Sequence, residues 1–192
     1  MKENLGTNMM ESVERIFRYL IPGVSFSVLF ALSYPDHFDT AIQKISNSEI
    51  SQFLVVLTIG MSLYAFESQI IRFTLEPIAY LLNKSPVNIF SEDRCLCNYS
   101  KALSKLLINR ENSSDYPKGY YIYLWSLVHY SFILSALLLL FASFHGEESW
   151  AACNAHIMGI AGALILLLAV CSYGYMQILE KNTTHTLKLN EG

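Results

Sequence analysis

Charge is scarce in this sequence. Only 15% of the residues are Asp, Glu, Lys or Arg, where an ordinary soluble domain carries about 25%. With 53% hydrophobic residues and a mean hydropathy of +0.33, that deficit makes lipid part of the chain's solvent. The net charge of -3 is too weak to point to direct nucleic-acid binding. Cysteine is scarce as well. Cys95, Cys97, Cys153 and Cys171 are too few and too unevenly placed for a disulfide scaffold. Glycine-rich phosphate loops, His-Glu-x-x-His and Gly-x-Ser-x-Gly are all missing, so no catalytic residue, no cofactor and no enzyme activity is expected. The length suits one compact unit, a single membrane domain over residues 1–192.

What the sequence does have is four apolar runs. They predict an all-α polytopic protein with spans at about 16–34, 50–71, 119–144 and 151–179. A spanning helix needs roughly 20 residues, which the last three runs supply. The first is short unless it borrows Ile16 and Phe17, with Arg18 snorkelling to the interface. That first run also resembles a secretory signal, and Ala31-Leu32-Ser33 is a tolerable cleavage site. The acidic leader, Pro22-Gly23 at the start of the run and the three later runs favour an uncleaved helix.

Lys and Arg alternate between the flanks: three before the first run, one in 35–49, seven in 72–118, none in 145–150 and two in the tail. Basic flanks stay inside, so both termini and the middle loop are expected in the cytoplasm of a bacterium, with the protein in its inner membrane. The sequons at Asn98, Asn112 and Asn182 fall on that inner side. Aromatics mark the interfaces: Tyr120, Tyr121, Tyr123 and Trp125 on the inner side of the third run, Trp150 outside the fourth.

Before the first span, Met10, Val13, Ile16, Phe17 and Leu20 recur at helical spacing, and Glu11 and Glu14 precede Arg15 and Arg18 by four residues. The pattern fits an amphipathic helix on the inner leaflet that turns into the membrane at Pro22-Gly23, or a plain extension of the span. The 72–118 loop is too long for a connector. Pro77 predicts the start of a short helix that Pro86 breaks, and Ser91-Glu92-Asp93-Arg94 predicts the start of another. In that second helix Leu96, Tyr99, Leu103, Leu106 and Leu107 form an apolar stripe, with Arg94, Asn98, Lys101 and Lys105 opposite. This basic face is the candidate surface for a cytoplasmic protein partner or for anionic lipid; packing on the chain's own bundle is the alternative. "ENSSDYPKG" then ends the helix.

Cys95-x-Cys97 has no histidine or further cysteine in its loop, so no metal is expected, and in the cytoplasm both thiols are expected reduced. Glu67 and His129 are the costly residues within the runs. At about 1.5 Å per residue, Glu67 is expected roughly 6 Å inside the cytoplasmic face and His129 about 15 Å in. They either serve a proton or ion path with Tyr64 and Tyr130, or are satisfied structurally, Glu67 by Arg18, Arg72 or a hydroxyl and His129 by another helix. Ala151, Ala155, Gly159 and Ala163 form a ladder of small side chains for close helix packing, with Gly162 and Ala169 as a second strip. A homo-oligomer, most simply a tetramer, is expected.

"RIFRYLIPG" leading into an apolar run resembles the start of small bacterial inner-membrane proteins found beside antiphage genes. The layout is similar to the membrane subunit of the Kiwa defence system, with four spans and a separate cytoplasmic partner, and to small CRISPR-associated membrane accessories. The resemblance implies a membrane sensor that detects infection or perturbs the envelope, working with a nucleic-acid-binding or nuclease partner. It carries over no catalytic residue.

Overall fold

The computed structural model describes residues 16–45, 48–91, 95–112 and 118–190. The amphipathic leader pattern at Met10 and Val13, the helix start at residues 92–94 and the candidate contact Arg94 lie outside them. The fold is all-α, 91% helical, with no strand among the described residues. A π-helical turn, Ile16–Leu20, leads into α1 (Ile21–Ser33), followed by α2 (Pro35–Ile45) and α3 (Glu49–Ile70). A second π turn, Ile71–Leu75, joins α3 to the short α4 (Glu76–Leu81); a 3-10 turn, Pro86–Phe90, precedes α5 (Leu96–Asn112). Then come α6 (Lys118–Ser143) and α7 (Trp150–Asn190).

Three helical segments are long and apolar enough to cross a membrane: Glu49–Leu81, Tyr123–Ser143 and Trp150–His185. The first expected span is represented by Arg18–Ser33, which is apolar but shorter. Ile157, Ile160 and Leu167 on α7 and Phe66 on α3 are exposed, a surface suited to lipid rather than water.

Both π turns end two residues before a proline, Leu20 before Pro22 and Leu75 before Pro77. Proline has no N–H to give the fourth carbonyl back, and its ring crowds that carbonyl. Widening the preceding turn relieves the clash without ending the helix. Pro77 stands in the first turn of the short α4, as its position in the sequence suggests, and of the two readings at Pro22-Gly23 the continuous one holds over 16–33. The expected loop over 35–49 differs. Pro35 stands at the first position of α2, where its missing N–H costs nothing.

The chain divides into two compact units. The first comprises Met1–Glu67 and Ser126–Ala169. Its core is Leu29, Ile133, Leu137, Phe141, Ala151 and Met158, joined by Phe26 and Phe30. Contacts between α1 and α6 rise together along both chains: Arg18 with Ser126, Ser25 with Tyr130, Phe30 with Phe141. The Gly146 N–H donates to the Ser33 carbonyl at 2.9 Å just past both helices. α1 and α6 therefore run parallel. α3 runs antiparallel to α1, at a crossing closer than any side chain permits. A Cβ on Gly23 would overlap the Val56 carbonyl, and one on Gly60 would overlap the Tyr19 carbonyl. Glycine is required at both positions.

On α7 the small ladder is only partly used. Ala151 is fully buried, Ala155 and Gly159 are half-buried, and Ala163 is exposed. A Cβ on Gly159 would stand 4.0 Å from that of Ala142, an ordinary contact, whereas one on Gly162 would press on Leu139 at 3.0 Å. The second strip, Gly162 and Ala169, is the buried one.

The second unit comprises Ser68–Trp125 and Val170–Gly192. Tyr80, Val87, Ala102 and Leu106 form its core. Asn83 takes the left-handed conformation, φ 58°, that ends α4, a position asparagine tolerates. Its carbonyl and side-chain oxygen both accept from Lys181 Nζ of α7, at 2.6 and 3.1 Å. The Ser85 hydroxyl accepts from the Val87 N–H, and the Asn88 amide donates to the Tyr80 carbonyl at 2.8 Å. The 82–91 connection is thus a bonded piece of structure.

Candidate functional site

In the first unit, α3 carries Glu67 and α6 carries His129. His129 Nδ1 and Glu67 Oε2 lie 2.6 Å apart, with the side chains only 14% and 12% exposed. The Tyr64 ring, one turn before Glu67, packs on the imidazole with centroids 5.1 Å apart. Above Tyr64 sits the Arg18 guanidinium, 5.2 Å from the ring centroid, and Arg18 Nε donates to Ser126 Oγ at 3.3 Å. The Tyr130 hydroxyl meets Ser25 at 3.3 Å. Arg18 thus reaches the cluster through the Tyr64 face. The sequence reading put Glu67 and His129 at different depths, and the structure corrects it. A depth counted from residue 71 is too small, because the helical run continues to Leu81.

One carboxylate oxygen is left over. Glu67 Oε1 is buried and has no hydrogen-bond partner among the described residues. An unsatisfied buried carboxylate oxygen is costly, so it takes a proton, a water or a cation. The imidazole beside it can exchange a proton with Oε2, and which atom holds it depends on the tautomer.

In the second unit, α5 buries Ala102 and Leu106 against Tyr80 and Val87, with Tyr99 and Leu103 packed beside them. Leu96 and Leu107 of the expected apolar stripe remain exposed. Lys101 and Lys105 are exposed, and Asn98 is half-buried. These three candidate contacts come together, lining a cleft of about 30 Å³ with Phe90 and Ser91. The Tyr99 hydroxyl donates to Glu76 Oε2 at 2.8 Å. Burial, reinforced by the Glu76 charge, pushes the Tyr99 phenol well above its ordinary range. The sulfurs of Cys95 and Cys97 are joined, with Cα atoms 5.2 Å apart, where the sequence reading expected separate thiols. No group of three or more metal-ligating side chains is found among the described residues.

The sequence reading missed a polar seam on α7. Tyr173, Gln177, Glu180 and Thr184 are all buried, and the Gln177 amide donates to the Tyr173 hydroxyl at 3.0 Å. The signal lies in the sequence as positions i, i+4, i+7 and i+11 on one helical face, but it runs past residue 179, where the apolar run ends.

No family model, curated protein or solved structure matches this chain.

Proposed function

We propose that the chain is the membrane subunit of a signalling or antiphage-defence assembly, and that it recruits a cytoplasmic protein through α5. It works by binding rather than catalysis. The observation that carries this reading is the display of Asn98, Lys101 and Lys105 on a segment with its own packed core. A connector between spans has no need of one. The antiphage assignment is supported by the resemblance over residues 15–23. Four spans are supported by the parallel register of α1 on α6. The helical run 16–33 is about 27 Å long at about 1.5 Å per residue, close to the roughly 30 Å of hydrocarbon. Inner-membrane insertion with both termini inside follows from the Lys and Arg distribution. A homotetramer is supported by the exposed Ala163 end of the small ladder.

The test is affinity capture from native membranes in mild detergent. R94E/K101E/K105E should lose a partner that the wild type retains, while staying inserted and oligomeric by native mass spectrometry. Retention of the same partner by the variant would refute the reading.

A second reading, a proton or ion path, is favoured by the Glu67–His129 contact and the unpartnered Oε1. Proteoliposomes loaded with a pH-sensitive dye separate the two. Proton flux that disappears in E67Q and H129A, with R94E/K101E/K105E unaffected, would establish the path.

A further inference from the structure

We infer that Cys95 and Cys97 form a thiol–disulfide exchange site, which cycles with a small thiol–disulfide couple of the glutathione class. The inference stands apart from the docking reading of α5, since the chemistry of the two sulfurs alone carries it. Both side chains are exposed, as is Leu96 between them. Their sulfurs are joined, and the Cα atoms stand 5.2 Å apart, inside the span of about 4.4–6.8 Å that a disulfide needs. The backbone therefore holds the pair ready to close and open in place.

A structural role accounts poorly for the pair. A cross-link stabilises a fold mainly by restricting the unfolded chain, and a loop of one intervening residue restricts it little. The start of α5 is also fixed by other bonds. The Asn98 N–H donates to the Cys95 carbonyl at 2.9 Å, and the Tyr80 hydroxyl donates to the same carbonyl at 3.3 Å. Tyr80 belongs to the buried core of the unit. The helix start thus persists when the sulfurs part, and the bond can cycle without unfolding the unit. Exposed disulfides are the labile ones.

Position tells the two sulfurs apart. Cys95 directly precedes α5, and its sulfur accepts from the Cys97 N–H at 3.4 Å. It fills the place of the usual capping oxygen. A thiolate in that place meets the positive end of the helix dipole. Cys95 is therefore the attacking sulfur and Cys97 the resolving one. In the reduced protein, Cys95 Sγ attacks one sulfur of the external disulfide, whose S–S bond breaks and releases a first thiolate. Cys97 Sγ then attacks Cys95 Sγ in the mixed disulfide, forms the bond seen here and expels the second thiolate. Two electrons pass from the cysteine pair to the external disulfide, and the two thiol protons end on the released thiols. Excess thiol runs the same steps backward.

The experiment uses the full chain in mild detergent, carrying C153S/C171S so that the two other exposed cysteines are silent. The protein is equilibrated in glutathione buffers from reduced to oxidised, and the remaining thiols are alkylated and counted by intact-mass spectrometry. Both thiols should vanish together as oxidised glutathione rises, and return when the ratio is reversed. C97S should trap one glutathione on Cys95, and C95S should form its adduct on Cys97 about tenfold more slowly. Serine caps helices well, so C95S keeps the helix start. Thiols that stay open at every ratio, or a bond that excess reduced glutathione does not open, would overturn the inference. Equal adduct rates in C95S and C97S would overturn the assignment of Cys95 as the attacking sulfur.

Discussion

Glu67 and His129 meet at 2.6 Å although 62 residues separate them, so one polar contact links α3 to α6 inside the first unit. Polar contacts between membrane helices are worth about 0.6 kcal/mol on average, with a maximum near 1.7. A double-mutant cycle of E67A and H129A, read by unfolding in mixed micelles, should give a coupling of that order. E67Q keeps size and hydrogen bonding and should cost less than E67A. Additive single effects would show that the contact holds nothing together.

The crossing at Gly23 and Gly60 should be the least tolerant place in the first unit. Neither carbonyl opposite can move without disturbing its own helix. G60A is expected to cost about 1–3 kcal/mol, the usual range for overpacking. G159A should be nearly neutral, because its added methyl meets Ala142 at contact distance. Thermal unfolding in one detergent compares them directly. A larger effect at Gly159 would move the tight crossing to α7.

Much of the fold was legible because spans need no periodicity, only length and apolarity. The basic face of α5 was equally plain, since Asn98, Lys101 and Lys105 alternate with Tyr99, Ala102 and Leu106 at helical spacing. Pro77 reads correctly as the first turn of a short helix, but the widened turns before Pro22 and Pro77 leave no mark in the sequence. α2 was hidden by its polar sequence. The Gly23–Gly60 crossing was out of reach, since each helix shows one glycine and only their pairing makes them necessary. Glu67 and His129 could be named as costly, but not matched until the true end of the helical run was known.

Alkaline pH should weaken the second unit. The folded state holds the Tyr99 phenol protonated, by burial and by the neighbouring Glu76 charge. In the unfolded chain the same group ionises near its ordinary value of about 10. Stability from this group is therefore complete below about pH 10 and is lost as pH rises beyond it. Y99F should flatten the decline above pH 10. Proteolysis of the 82–91 connection against pH measures it, and identical profiles for both proteins would show that Tyr99 is not responsible.

Reporter fusions test the orientation. Fusions after Asn47 and after Glu147 should read periplasmic, and one after Asn112 cytoplasmic. A periplasmic reading at Asn112 would invert the protein and put α5 beyond the reach of any cytoplasmic partner.

The parallel seating of α1 on α6 also sets an order of events during synthesis. Arg18 waits for Ser126, 108 residues further on, and Ser25 waits for Tyr130. Until α6 emerges, α1 has α2 and α3 beside it, the latter clasped at the two glycines. A nascent chain halted before residue 118 therefore lacks the α6 groups that meet Arg18 Nε and the Ser25 hydroxyl. Such chains should be cleared quickly by membrane proteases, whereas co-expressing the missing half should rescue them. α1 is thus made well before the helix on which it finally rests.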